Sequence, residues 1–411
     1  MGTEALMIGI SVCVLVSYWF SYLGKQLRFP SVVFLLAAGL ALREFTDGRN
    51  ATVYLPPGLL PLLGTIGLIL IVLEGGLDLN LKPGRRTFLL RTFGAAVLGV
   101  VLCTAVVAAG FHYLLLLDWP LAVLMSVPFA VISSAVAIPS AESLHDEDRE
   151  FVIYESSWSD IIGVMLFNAA LVVVISGEGR GATLNFFGGG LAVLVLGGLI
   201  GVAVWWLVGH LQGHVKFVPL IFALILVYAG AKALNLSPLM IVLILGLMLN
   251  NPHLLMRIRW LQPLHSNHYW AELDKLKHLT AEATFFVRTF FFLLLGYSTD
   301  IGTLVDTRTW AVALSLVAAI FLLRLPVLWL MGGGRTRPLV WAAPRGLITV
   351  LLFYSLPAGM VPSVFPPGAL ILVVLLSCVV MAIGFRKDGG RDDPAKDDID
   401  RRIDARAAPP Y

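Results

Sequence analysis

"FVIYESSWSDIIGVMLFN", residues 151–168, sets two carboxylates, Glu155 and Asp160, and three serines into a stretch that is otherwise apolar. Asp160 is followed at once by Ile161, Ile162, Gly163, Val164, Met165, Leu166 and Phe167. Neither a solvated helix face nor a helix cap accounts for this pattern. The rest of the chain says what medium the stretch occupies. Of 411 residues, 58% are hydrophobic and only 13% charged, with a mean hydropathy of +0.87. Soluble domains carry about 25% charged residues. The apolar residues come in repeated runs of about the 20 that a bilayer crossing requires. These runs are continuous, where a membrane β-barrel would alternate. The expected fold class is an all-α polytopic membrane protein.

Working outward, runs able to span fall at about 5–22, 30–45, 58–77, 88–113, 120–140, 151–175, 187–209, 217–233, 236–250, 281–299, 308–331, 338–359 and 367–385, thirteen in all. The first lacks a charged leader and a cleavage site and reads as a retained helix. Connections on one side hold Lys25, Arg28, Lys82, Arg85, Arg86, Arg91, Lys216, Arg257, Arg259, Lys275, Lys277, Arg335, Arg337, Arg386 and Lys387; the other side holds Arg49, Arg180, Lys232 and Arg308. The excess of basic residues marks the cytoplasmic side. The N-terminus is then outside and the C-terminus cytoplasmic. The acidic 142–150 connection falls on the cytoplasmic side as well. Residues 253–280 read as an interfacial helix and loop. The domain expectation is a transmembrane transporter unit over 1–386, with inverted halves at about 1–175 and 217–386, and a disordered cytoplasmic tail over 387–411. Cys13, Cys103 and Cys378 all lie in apolar runs, which argues against a disulfide framework.

Ionisable groups inside a span are costly, and they line pathways or pair with one another. The candidates are Glu155, Asp160, Arg324 and Arg345, with Arg288 near the start of its span. Glu155 and Asp160 are five positions apart, about 140° around a helix, so they do not share a face. A division of labour follows. Asp160 takes up a cation or a proton, one excluding the other, while Glu155 stays ionised against a buried arginine. The structural alternative is that both carboxylates merely lock helix packing. Two spans are broken: "LAVLMSVPFAVISSAVAIPSAE" (121–142) contains Pro128, Ser133, Ser134 and Pro139, and "VWAAPRGLITVLLFYSLPAG" (340–359) contains Pro344, Gly346 and Pro357. Proline frees backbone carbonyls, and a membrane tolerates that only where something satisfies them again. The two broken spans are seven apart in order, as an inverted repeat with two discontinuous crossing helices requires.

Four motifs together carry a resemblance to the monovalent cation:proton antiporters, nearer the branch with a single ion-binding aspartate. "LILIVLEGGLDLNLKPGRR" (68–86) resembles the family's third-helix motif, and "ESSWSD" (155–160) its Glu-x-x-x-Asn-Asp element. "FFVRTFFFLLLGYSTD" (285–300) is similar to the aromatic tenth helix, and "PRGLITVLLFYSLPAG" (344–359) to the "RG" helix near the end. The resemblance implies that Asp160 is the transport aspartate, holding Na⁺ or K⁺, with Ser159, Ser133 and Ser134 in the ion-binding set. It implies that Glu155 pairs with Arg324 of the eleventh helix, that Arg345 is the arginine after the broken twelfth helix, and that Arg288 supports the site. A mobile core beside a dimerisation domain, elevator-like alternating access and a homodimer are likewise implied. Two positions depart from the family pattern. Ser159 stands where Asn is usual, and Ser133–Ser134–Ala135 stands in place of Thr-Asp-Pro, removing an acidic side chain at the crossover.

The function expected is a secondary antiporter exchanging a monovalent cation for H⁺ across a prokaryotic inner membrane, with Na⁺ favoured over K⁺. One free buried acid favours one-for-one, electroneutral exchange. Neither an enzyme nor a nucleic-acid binder is expected, and no cofactor is called for. A channel is disfavoured because no repeated filter is present; a non-transporting sensor or scaffold is the remaining alternative. Glu74 and Asp78 read as a solvated end of the third span, with an entrance role as the alternative. His145, His265, His268 and His278 are candidate cytoplasmic pH sensors.

Overall fold

The computed structural model describes residues 3–27, 29–47, 59–79, 86–176, 193, 195–208, 217–233, 238–256, 269–333, 336–357 and 359–388. In chain order the helices are α1 (Thr3–Leu27), α2 (Ser31–Asp47), α3 (Leu59–Asp78), α4 (Arg86–Leu115), α5 (Trp119–Ala130), α6 (Ser134–Ser140) and α7 (Asp146–Ser176). After α8 (Val195–Val208) come α9 (Phe217–Ala233), α10 (Pro238–Asn250), α11 (Pro252–Leu255), α12 (Tyr269–Ser298), α13 (Ile301–Val305), α14 (Thr307–Met331), α15 (Leu347–Tyr354) and α16 (Ala369–Asp388). No strand occurs among the described residues. Among the described residues, six stretches are long and apolar enough to cross a membrane: α4, α5 with α6, α7, α12, α14 and α16. If α5 is counted with α6, the turn Leu339–Trp341 with α15, and the short α11 and α13 are set aside, the described helices follow the thirteen runs.

The helices pack in two groups. One joins α4, α5, α6 and α7 to α14, α15 and α16; the other joins α1, α2, α3, α9, α10 and α12. Contacts between the groups run from α7 to α3 and α10, and from α15 to α3. In the first group α5 is deeply enclosed, with Leu124, Met125, Val127 and Phe129 fully buried. Phe111, Phe353 and Phe365 surround the Phe129 ring with centroids 5.9–6.1 Å away.

Small residues set the tightest approaches in the second group. Lipid tails are as apolar as leucine, so membrane helices associate largely through close van der Waals packing. A Cβ on Gly246 of α10 would meet the Leu73 carbonyl of α3 at 2.8 Å, and one on Gly76 would meet the Gly246 Cα at 3.0 Å. On α12, a Cβ at Gly296 would run into the Leu36 carbonyl of α2. These neighbours are backbone atoms and cannot swing aside.

Three boundaries differ from those read in the sequence. The 142–150 connection is largely helical, since α7 begins at Asp146 with Asp146, Glu147 and Asp148 in its first turn. Negative charge there suits the positive end of a helix macrodipole. The interfacial reading of 253–280 is corrected from Tyr269 onward. That stretch is the first part of α12, with Tyr269, Leu273, Leu276 and Thr280 buried, and the Tyr269 hydroxyl donates to the Leu249 carbonyl at 2.5 Å. Its inward residues recur at helical spacing, so their burial in the bundle decides the matter. Finally, α16 continues through Asp388, past the expected boundary at 386. The remainder of the expected tail lies outside the described residues.

Replacing Gly296 by alanine should destabilise the fold by about 1–3 kcal/mol, the cost of overpacking a tight contact. Gly110→Ala, where a Cβ would meet nothing within 4 Å, is the control. Thermal unfolding in detergent checks this, with a lowered midpoint expected for Gly296→Ala alone.

Candidate functional site

The centre of the first group is the crossing of two interrupted helices. Between α5 and α6, Val131, Ile132 and Ser133 are not helical, and Ser133 is extended at φ −78°, ψ 111°. Residues 342–346 form the second interruption, between the Leu339–Trp341 turn and α15. The Ser133 N–H donates to the Pro344 carbonyl at 3.0 Å and joins the two breaks directly. Gly346 makes the approach feasible, because a Cβ there would sit 2.6 Å from Ser133 Oγ. Gly163 does the same on α7, where a Cβ would run into the Val131 side chain.

Unwound backbone in a membrane must find partners for its polar groups, and the buried polar side chains supply them. Ser159 Oγ accepts from the Ile132 N–H at 2.9 Å. Asp160 Oδ2 accepts from the Ser134 N–H at 3.3 Å and from the Ser134 hydroxyl. Arg345 Nε donates to the Phe129 carbonyl at 2.6 Å, just before the first break, and its Nη1 donates to the Ala343 carbonyl at 3.2 Å. The Arg345 N–H is itself held by Ser377 Oγ at 2.9 Å. Arg288 Nη1 donates to the Ala135 carbonyl at 2.7 Å. Pro128 and Pro344 thus sit beside carbonyls that guanidinium groups cover.

Glu155 has a different neighbourhood. Both its oxygens are engaged by Arg324, Oε1 with Nη1 at 3.0 Å and Oε2 with Nη2 at 2.7 Å. Arg324 Nε donates in turn to the Leu339 carbonyl at 2.7 Å. Glu155 is 1% exposed and Arg324 5% exposed, so the pair is dry and bidentate, the geometry in which such a pair is strongest. It ties α7 to α14 and to the turn ahead of the second break.

Asp160 faces elsewhere. It lines a pocket of about 10 Å³ between the two helix groups, bounded by Val72 and Gly75 of α3, Ser157 of α7, and Leu239 and Leu243 of α10. Asp160 Oδ1 and Ser157 Oγ are both buried without a hydrogen-bond partner. The carboxylate is therefore gripped at one oxygen and unspent at the other.

Among the sequence candidates, the structure gathers Asp160, Ser159, Ser133, Ser134, Arg345 and Arg288 around the crossing, with Glu155 and Arg324 beside it. Ser159 serves the unwound backbone and makes no contact with the Asp160 carboxylate oxygens among its hydrogen bonds. Arg345, expected after the broken helix, lies within the interruption. Glu74 is half-buried and interacts electrostatically with Arg288, while Asp78 is exposed at the end of α3. His145 is exposed. His278 belongs to α12 and not to a connection, 3.7 Å from Asp274 Oδ2. His265 and His268 lie outside the described residues. Sequence reasoning missed Ser157, Gly163 and Gly75. The signal for Ser157 was its place three residues before Asp160, on the same helical face.

Fold and site together define an all-helical membrane transporter built on two crossed, interrupted helices. Residues 11–386 match the family model described as sodium/hydrogen exchanger, transmembrane, and the chain belongs to that family, whose members are transporters and not enzymes. Its fold is similar to that of the sodium proton antiporter MjNhaP1 from Methanocaldococcus jannaschii at pH 8. That structure shows 19% identity and a TM-score of 0.69 over 93% of this chain and 100% of that chain. An electron-microscopy structure of the same antiporter gives 17%, 0.66, 93% and 95%. At these identities the likeness is one of fold.

Breaking the buried pair from one side should be severe. Glu155→Gln or Arg324→Leu is expected to cost about 3–5 kcal/mol, because an uncompensated buried charge or an orphaned donor remains. The double replacement Glu155→Leu with Arg324→Leu should recover part of that loss. A double-mutant cycle on thermal unfolding in detergent measures both.

Proposed function

We propose that this chain is a secondary antiporter that exchanges Na⁺ for H⁺ across a prokaryotic plasma membrane, one for one, at a single shared site on Asp160. The observation that carries this reading is the unpartnered Asp160 Oδ1, on a side chain that lines a pocket at the seam between the two helix groups. Ser134 fixes the other oxygen, so the group is placed but not neutralised. A cation or a proton satisfies the free oxygen, and either one excludes the other. Both neutralise the same charge, which allows the site to cross a low-dielectric barrier loaded and not empty.

The stoichiometry follows from what the other carboxylates do. Both Glu155 oxygens are spent on Arg324, which leaves Asp160 as the carboxylate of the 151–168 stretch that is free to load. One free acid carries one cation or one proton. The division into two packed groups, with the site at their seam, supports an elevator-like movement of the crossing helices against α3 and α10. Inverted halves at about 1–175 and 217–386, an outside N-terminus, a cytoplasmic C-terminus and a homodimer complete the reading. K⁺ is the alternative cation, and the observation that favours it is the missing acidic side chain at Ser133–Ser134–Ala135. With less negative charge, the site gives a small ion less to offset its dehydration.

Purified protein in liposomes with a trapped pH dye tests the proposal. Addition of Na⁺ should drive saturable proton movement that Asp160→Asn abolishes, at a rate indifferent to a valinomycin-clamped voltage. A voltage-dependent rate would contradict one-for-one exchange, and K⁺ as the faster ion would replace Na⁺. Competition also fixes a pH dependence. Where the proton dominates the site, each unit of pH fall should raise the apparent Na⁺ KM about tenfold, by linkage between two ligands of one group. A KM independent of pH would separate the proton site from the cation site.

A further inference from the structure

We infer that a second cavity at the crossing holds a chloride-sized monovalent anion against Arg345. The transport consequence rests on the antiport reading above, while the binding itself stands apart from it. The pocket at Asp160 is bounded by α3 and α10. This one is bounded by Gly99 and Cys103 of α4, Ile320 and Val327 of α14, and Ile132 and Ala343 of the two breaks, with Arg324 and Arg345 in its wall. It measures about 20 Å³, more than one water molecule needs and too little for a polyatomic anion, so the occupant is monatomic. Arg345 is 2% exposed. Its Nε and Nη1 are spent on the Phe129 and Ala343 carbonyls. Among the described residues its Nη2 donates to no oxygen, and no carboxylate stands within ion-pair distance of it. Arg324 has no such vacancy, with both Nη atoms on Glu155 and Nε on the Leu339 carbonyl. The Cys103 thiol, which shares the Phe129 carbonyl with Arg345 at 3.9 Å, offers only a weak acceptor. Buried charges are ordinarily paired, and this one is not.

The balance of charge at the crossing gives the anion a task. The buried ionisable groups there are Glu155, Arg324, Asp160 and Arg345; Arg288 belongs to α12 of the other helix group. Glu155 and Arg324 cancel, which leaves Asp160 against Arg345. By themselves these groups are neutral when Asp160 is empty, and they carry one positive charge when it holds a cation or a proton. A low-dielectric barrier passes a neutral unit more readily than a charged one, so the crossing would move empty and stall loaded. Exchange requires the reverse. One bound anion inverts the balance: the loaded unit becomes neutral, and the empty unit carries one negative charge that holds it back. The wall of the cavity selects the anion. Apolar side chains and one free guanidinium nitrogen give little in return for a tight hydration shell, so chloride and bromide are favoured over fluoride. A guanidinium is itself weakly hydrated and suits such a partner. On α4, a Cβ at Gly99 would meet nothing within 4 Å, so a larger side chain there can fill the cavity without displacing Arg345.

The test compares the full chain in chloride and in gluconate, which is too large for the cavity, at equal Na⁺ and equal ionic strength. The unfolding midpoint of purified protein should rise by a few degrees with chloride and then saturate, as for a ligand of the folded state. Crystals soaked in bromide should show an anomalous peak beside Arg345 Nη2. In proteoliposomes the maximal Na⁺/H⁺ exchange rate should fall several-fold when gluconate replaces chloride on both sides. Gly99→Val, whose added carbons occupy the cavity, should give one midpoint and one rate in both salts. A native midpoint and rate that are the same in chloride and gluconate, with no bromide at Arg345, would overturn the inference and leave the cavity to water. A chloride response that survives in Gly99→Val would overturn it as well, by placing the anion elsewhere. Exchange absent in both salts, with bromide still bound at Arg345, would instead overturn the antiport reading and leave the anion site standing.

Discussion

The constraint on which the rest of the structure depends is the need to satisfy unwound backbone inside a membrane. Two helices stop part-way across and cross each other, leaving peptide groups that would otherwise face hydrocarbon, each at a cost of several kcal/mol in the unsatisfied state (about 4–8 kcal/mol on hydrocarbon transfer scales). Ser159 and Asp160 of α7 take the freed N–H groups of Ile132 and Ser134. Arg345 and Arg288 take the carbonyls of Phe129 and Ala135, and the two breaks meet through Ser133 and Pro344. The stretch 151–168 carries polar groups in an apolar setting because its neighbours are broken. The proposed function then needs only one oxygen of that network left unspent.

This arrangement separates fixing from working. Glu155 is bound at both oxygens and holds α7 to α14. Asp160, five residues on, is bound at one oxygen and opens on the seam between the two helix groups. Two chemically similar side chains thus differ in how many partners each has, and the proposed division of roles rests on that difference. The glycines extend the logic. Gly346 and Gly163 bring the crossover within reach of α7, and Gly76 and Gly246 press α3 against α10.

Much of this was legible in the sequence, and for identifiable reasons. Continuous apolar runs fixed the helices, since hydrocarbon thickness leaves few other solutions. Pro128, Pro139 and Pro344 marked the interruptions, and carboxylates and arginines in apolar spans marked the site. What stayed hidden depends on rotation and contact. A serine can cap a backbone group or face a ligand. Ser159 caps the Ile132 N–H, whereas Ser157 lines the pocket; the three-residue spacing to Asp160 hinted at Ser157, but spacing alone did not separate the two jobs. The start of α12 read as interfacial because its outward face is charged; only the burial of Tyr269, Leu273 and Leu276 places it in the bundle. Arg345 was placed one step too late because a break several residues long has no sharp sequence edge.

The central claim is that one carboxylate serves cation and proton in turn. The most direct measurement is of proton release when Na⁺ is added to the purified protein in weakly buffered detergent solution, followed with a pH indicator dye. The account predicts release of a proton for each cation bound wherever Asp160 starts protonated, and no release from Asp160→Asn. Cation binding without release at every pH, or release that survives in Asp160→Asn, would contradict it.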